Sequence, residues 1–185
     1  MITVVSGLPR SGTSLMMQML AAGGMPLLTD EVRAPDNNNP RGYFEFDPVK
    51  RLNRDSSWMR EARGKGVKIV SPLLRYLPED ENYRILFMRR DIAEVLQSQA
   101  AMLAREGKED DVDHPSLRDA LERHLVNVEE LMETRKIPVL YVEHRALITA
   151  PAEESVRIAE FLGLPLNTAA MDAASDPALY RERRK

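Results

Sequence analysis

The segment that most constrains this chain is its first twenty residues. A β-branched run, Ile2-Thr3-Val4-Val5-Ser6, leads into Gly7-Leu8-Pro9-Arg10-Ser11-Gly12-Thr13-Ser14, and Leu15, Met16, Met19 and Leu20 follow at helical spacing. Strand, two-glycine turn and helix in immediate succession leave few options. Glycines admit backbone angles that a Cβ forbids, and the following helix aims its free N–H groups and its dipole at whatever the turn encloses. The arrangement reads as an anion cradle on the first strand of a layered α/β domain.

Three further runs support that class: Val67 to Val70, Arg84 to Met88 and Pro138 to Val142. Each is apolar nearly throughout rather than alternating, as expected of parallel strands covered on both faces. Between and after them lie amphipathic stripes at Ile92, Val95, Leu96 and Met102-Leu103, at Leu121, Leu125, Val128 and Leu131-Met132, and at Val156, Ile158, Ala159 and Phe161-Leu162. The alternation predicts a three-layer αβα P-loop fold with a mainly parallel sheet of about four or five strands, built as one domain over residues 1–185.

The remaining segments are punctuation. Residues 29–48 are rich in Asn, Pro, Asp and Gly and are too long for an ordinary connection, so they read as a functional loop. Glu106 to His114 is a charge run that reads as a solvated link between helices, and residues 178–185 form a basic tail expected to fray. The 26 Lys and Arg against 29 Asp and Glu leave a formal charge of −3, which argues against a nucleic-acid polymer as partner. Cysteine is absent, so disulfides and thiolate metal sites are excluded. With no basic leader ahead of an apolar stretch and no run near the length of a membrane helix, the expectation is a cytoplasmic protein without a membrane span.

The cradle nearly matches the triphosphate-binding pattern G-x-x-x-x-G-K-[ST], but Thr13 stands where that pattern has lysine, and the cation is Arg10 instead. The strand Ile85-Leu86-Phe87-Met88 runs into Arg89-Arg90 rather than into an aspartate able to hold Mg²⁺. Cations at the strand tips suit a phosphate- or sulfate-rich ligand held without metal. A Mg²⁺-dependent P-loop kinase or nucleoside triphosphate hydrolase is the alternative enzyme, and a non-catalytic nucleotide-binding protein of the same fold is the third reading.

Pro9-Arg10-Ser11-Gly12-Thr13-Ser14 after a hydrophobic strand resembles the 5′-phosphosulfate loop of the sulfotransferases, most of all bacterial sulfotransferase-family proteins and tyrosylprotein sulfotransferases. Three other stretches extend the likeness over about residues 2–165. Arg90 follows the later strand, with Ser98 eight residues on; Lys68 precedes Pro72 by four; and Ile137 to Glu143 and Pro151 to Pro165 resemble the last strand and a closing helix ending in Phe-Leu-Gly-Leu-Pro. The resemblance implies 3′-phosphoadenosine 5′-phosphosulfate as donor. Arg10, Ser11, Gly12, Thr13 and Ser14 would then hold the 5′-phosphosulfate, and Arg90 and Ser98 the 3′-phosphate. The implied acceptor is a small-molecule or peptide hydroxyl, or an amine, and no metal is expected.

The histidine that follows this lysine in cytosolic sulfotransferases is replaced by Val70, so a base must come from elsewhere. Glu31 is followed by Val32-Arg33, as a catalytic Glu is in tyrosylprotein sulfotransferases; Glu45 ends Asn39-Pro40-Arg41-Gly42-Tyr43-Phe44-Glu45, similar to a stretch of bacterial members. Glu31 leads, Glu45 follows, and His144 or no base at all stays open. Lys68 either assists the bridging oxygen or is a surface lysine. His114 and His124 read as solvated, and Trp58, Tyr43 and Phe44 as acceptor-pocket or core aromatics. The basic, glycine-rich segment with which cytosolic relatives clamp the donor is absent, leaving only Arg181 to Lys185 as a substitute. Neither acceptor identity nor oligomeric state is legible.

Overall fold

A computed structural model describes residues 1–30, 42–105, 107 and 115–175. Four strands, β1 (Ile2–Gly7), β2 (Gly66–Lys68), β3 (Tyr83–Arg89) and β4 (Val139–Glu143), pair in parallel in the order β2-β1-β3-β4. Among the described residues six α-helices accompany them: α1 (Thr13–Ala22), α2 (Ile92–Arg105), α3 (Pro115–Thr134), α4 (His144–Thr149), α5 (Pro151–Leu162) and α6 (Thr168–Ala174). Tight 3₁₀ turns occupy Asp47–Arg51, Ser57–Ala62 and Ser71–Tyr76. The expected strands are all present. β2 is shorter than the apolar run predicts; one more ladder bond, from Ile69 N to the Val5 carbonyl at 2.9 Å, precedes the turn that Pro72 enters.

Period-two alternation along the strands sorts the core into two layers. Ile2, Val4, Val67, Ile85 and Phe87 pack with Trp58, Met59 and Leu74 of the 3₁₀ turns and with Val128 and Met132 of α3. Val5, Leu86, Met88 and Val142 face the other way, onto Met16, Met17, Met19 and Leu20 of α1, Ile158 and Leu162 of α5 and Met171 of α6. Each such side chain contributes about 1.5–3 kcal/mol on burial. The αβα layering is therefore as predicted, with four strands.

Because α1 lies between the sheet and α6, it is covered on more than one side, and Met17 is fully buried while Leu15, expected in the stripe, is half-buried. α5 stops at Gly163, a left-handed residue at φ 63°, with the Leu164 N–H returning to the Ala159 carbonyl at 3.3 Å. Among the described residues no helix is long and apolar enough to cross a membrane.

Strand order decides where a ligand can sit. From β1 the chain passes to its neighbour β2 and then returns to the opposite side of β1 as β3, so the turns after β1 and β3 diverge at the carboxyl edge of the sheet. Such a switch point is the usual crevice of open α/β sheets. The glycine turn and the Arg89-Arg90 pair both stand there.

Candidate active site

The glycine turn closes through its own backbone and excludes side chains at two points. Gly7 is at φ 144° and Gly12 at φ 101°, while the Ser11 N–H reaches the Leu8 carbonyl at 3.1 Å. A Cβ on Gly7 would fall 2.7 Å from the Met88 carbonyl oxygen, and one on Gly12 2.5 Å from His144 Cδ2. Arg10 lies between them at φ 70°, a left-handed conformation that non-glycine residues adopt at a cost and that recurs at functional turns. No side chain caps α1. The Ser11 hydroxyl is 1 % exposed and has no hydrogen-bond partner among the described residues. Burying a hydroxyl in that state costs about 1–3 kcal/mol, a cost that an oxyanion or water at the turn would remove.

Residues far apart in sequence close over the turn. Arg10 Nε donates to Ser98 Oγ on α2 at 3.1 Å, and Arg90 Nη1 donates to the Arg10 carbonyl at 3.1 Å. Arg90 Nε also meets Glu94 Oε2 at 3.1 Å, four residues on in the first turn of α2, with both side chains largely buried. Arg10, Arg90 and Ser98 therefore belong to one cluster beside the α1 N-terminus. Two guanidinium groups, a buried hydroxyl and a helix dipole make this edge favourable for an oxyanion, and the Glu94 carboxylate offsets part of their charge.

A second cluster forms on the β2 side. Lys68 Nζ donates to the Tyr43 carbonyl, lies 3.5 Å from Glu45 Oε1, and sits 5.9 Å from the Tyr43 ring centroid. Ser14 Oγ donates to the same carbonyl at 3.4 Å. One backbone oxygen thus ties the start of α1 to the end of β2. The segment that delivers it turns through Gly42 at φ 94° and Phe44 at φ 51°, and the Asp30 N–H bonds the Glu45 carbonyl at 2.8 Å. Lys68 is 9 % exposed, which corrects the surface-lysine alternative.

Other expectations divide. Only Arg90 of the arginine pair reaches Arg10. Arg89 lies on the Ile85–Phe87 face of β3, with its guanidinium carbon 4.0 Å from the Tyr141 ring centroid and Nη2 2.5 Å from Glu129 Oε1 of α3. Both arginines line a cleft of about 520 Å³ together with Leu8, Ser11, Leu125 and Glu143. His124 is not simply solvated. Its Nε2 is 2.9 Å from the buried Ser71 hydroxyl, and burial followed by the nearby Arg75 charge pushes its pKa down. Trp58 is core, edge-on to Phe46 at 5.4 Å. Tyr43 is buried and Phe44 half-buried. Glu31, His114 and the Arg181 to Lys185 tail lie outside the described residues.

Sequence reasoning missed three participants. Glu94 carried a usable signal, an acidic residue four beyond Arg90 where the predicted helix starts. The Tyr43 carbonyl carried none, because a backbone acceptor has no residue-type signature. His144 was noted only as a possible base. The structure packs it against Gly12, 8 % exposed, where burial and then the Arg90 charge push its pKa down to about 4, Glu94 opposing.

No protein-family model matches the chain, and no curated protein sequence matches it significantly. Among solved structures, it is similar to a sulfotransferase domain from the curacin biosynthetic pathway, with 13 % identity and a TM-score of 0.47. That match covers 100 % of this chain and 78 % of the other.

Proposed function

We propose that this protein transfers a sulfuryl group from 3′-phosphoadenosine 5′-phosphosulfate to a hydroxyl or amine acceptor. The observation that carries the reading is the convergence of Arg10, Arg90 and Ser98 on a two-glycine turn whose Ser11 hydroxyl is buried and, among the described residues, unpartnered. The donor carries two separate anionic groups. The backbone of Gly12 to Ser14, the Ser11 hydroxyl and Arg10 take the 5′-phosphosulfate; Arg90 and Ser98 take the 3′-phosphate.

In the reaction the acceptor oxygen or nitrogen forms a bond to sulfur as the bond from sulfur to the 5′-phosphate oxygen breaks. The acceptor's proton passes to a base, and the electron pair leaves with adenosine 3′,5′-bisphosphate. Glu45 takes the proton in this reading, supported by its position 3.5 Å from Lys68 Nζ, and Glu31 is the other candidate. Lys68 and Arg10 offset charge developing on the bridging oxygen, stabilisation that acts most strongly in the transition state.

The deciding experiment is thermal. A ligand at about 100 times its Kd stabilises by roughly 2.7 kcal/mol. Adenosine 3′,5′-bisphosphate in EDTA is expected to raise Tm, and ATP with Mg²⁺ to do little. The reverse order would sink the reading in favour of a triphosphate enzyme. Nucleotide binding without transfer of labelled sulfate to a panel of phenols, alcohols and amines would favour a binding protein.

A further inference from the structure

His144 is the first residue of α4 and the side chain that packs directly on the turn, since a Cβ on Gly12 would fall 2.5 Å from its Cδ2. Gly12 carries no charge. Among the described residues, Arg90 beyond the end of β3 and Glu94 on α2 bear on the imidazole, and they are paired with each other at 3.1 Å. Burial and Arg90 keep the ring neutral at pH 7, with its pKa pushed down to about 4. The ring therefore stands behind the same glycine whose neighbours would hold an oxyanion, and beside the guanidinium that would face it.

We propose that His144 is a positioning residue that takes up a proton when an oxyanion seats on the Gly12 turn, so that anion binding at this site is proton-coupled. The inference rests on reading the turn as an oxyanion site. A dianion placed next to Arg90 cancels the field that opposes imidazolium, and the imidazolium in turn attracts the anion through the turn it supports. A neutral ring before binding avoids adding a third buried cation beside Arg10 and Arg90. A charged ring after binding returns part of the energy lost in desolvating the anion.

Inorganic sulfate is the probe, because it stays a dianion across the pH range of interest and brings no proton of its own. If the bound anion raises the imidazole value by about 1.5 units, with burial still holding it below the ordinary 6.5, binding near pH 5.5 takes up about 0.5 proton, and affinity tightens about fourfold from pH 7 to pH 5. Calorimetry at pH 5.5 in two buffers of different ionisation heat reads the uptake. His144→Gln is expected to abolish the uptake and flatten the pH dependence. Should that variant not fold, the protein with its three histidines serves directly: one imidazole proton NMR titration is expected to move up by more than about one pH unit in saturating sulfate. Sulfate that binds without proton uptake, or with equal uptake in a folded His144→Gln protein, overturns the inference and leaves the oxyanion site standing. Absence of any sulfate or bisphosphate binding overturns the site itself.

Discussion

Arg10 Nε donates to Ser98 Oγ at 3.1 Å across 88 residues of chain, joining the turn after β1 to the second turn of α2. A hydroxyl that accepts from one cation keeps its own proton for a ligand oxygen. Replacing Ser98 by Ala removes both functions while leaving an apolar, 2 % exposed site that tolerates a methyl group. Hydrogen bonds to charged groups are worth about 1.5–3 kcal/mol, so adenosine 3′,5′-bisphosphate is expected to bind about ten- to a hundredfold more weakly. Circular dichroism should be unchanged. Calorimetric affinity equal to that of the parent would remove Ser98 from the site.

Arg90 and Glu94 show side-chain exposures of 7 % and 10 %. Arg90→Ala takes a buried cation away from the Glu94 carboxylate and is expected to cost up to about 3–5 kcal/mol in urea unfolding; removing Glu94 as well should recover part of that loss. Both proteins should lose the stabilisation by bisphosphate that depends on its 3′-phosphate. If the shift persists in the double variant, another cation holds that group.

In the proposed reaction Lys68 and Glu45 serve the acceptor. Lys68→Met is expected to lower kcat about 10²–10³-fold, and Glu45→Gln about 10²–10⁴-fold, with bisphosphate affinity nearly unchanged. Turnover that survives Glu45→Gln and is lost in Glu31→Gln assigns the base to Glu31. The assay is transfer of labelled sulfate to the best acceptor found.

Gly7 and Gly64 differ in surroundings though both have positive φ. A Cβ at Gly7 meets a backbone carbonyl at 2.7 Å, whereas nothing lies within 4 Å of one at Gly64. Gly7→Ala is therefore expected to destabilise by more than about 2 kcal/mol and to abolish bisphosphate binding. Gly64→Ala should cost only the left-handed strain, about 1 kcal/mol, and leave binding intact. Equal Tm losses in the two proteins would contradict the close packing of the turn on β3.

His144 also predicts an acid-sensitive fold. Its native pKa is pushed down to about 4, below the unfolded value of about 6.5, so between these values the unfolded chain binds the extra proton. Stability contributed by the neutral ring is fully present above pH 6.5 and is lost as pH falls towards 4. About 2 kcal/mol should be gone at pH 5 relative to pH 7. His124 shifts in the same direction. Urea titrations at the two pH values check the loss, and His144→Gln should reduce it.

Much of the scaffold was legible because its signals are local. Four apolar runs and the two glycines are short-range patterns, and each strand appears within a residue or two of its run. Arg90 and Ser98, connected in the sequence by their spacing, both reach Arg10. The partners of those residues were not legible. Arg89 and Arg90 are adjacent in sequence and line one cleft, yet take different partners: Arg89, the last residue of β3, follows Phe87 onto Tyr141, and Arg90, just beyond the strand, turns towards Arg10.

By itself, then, the sequence determined a parallel αβα scaffold with an anion-favouring turn at the end of its first strand, since backbone angles and hydrophobic period are properties of neighbouring residues. Only the tertiary structure decided which groups close over that turn. Strand order brought α2 to Arg10, a backbone oxygen from Tyr43 captured Lys68 and Ser14, and His144 came to rest neutral against Gly12. Those outcomes depend on register, burial and distance between segments far apart in the chain, and no local pattern encodes them.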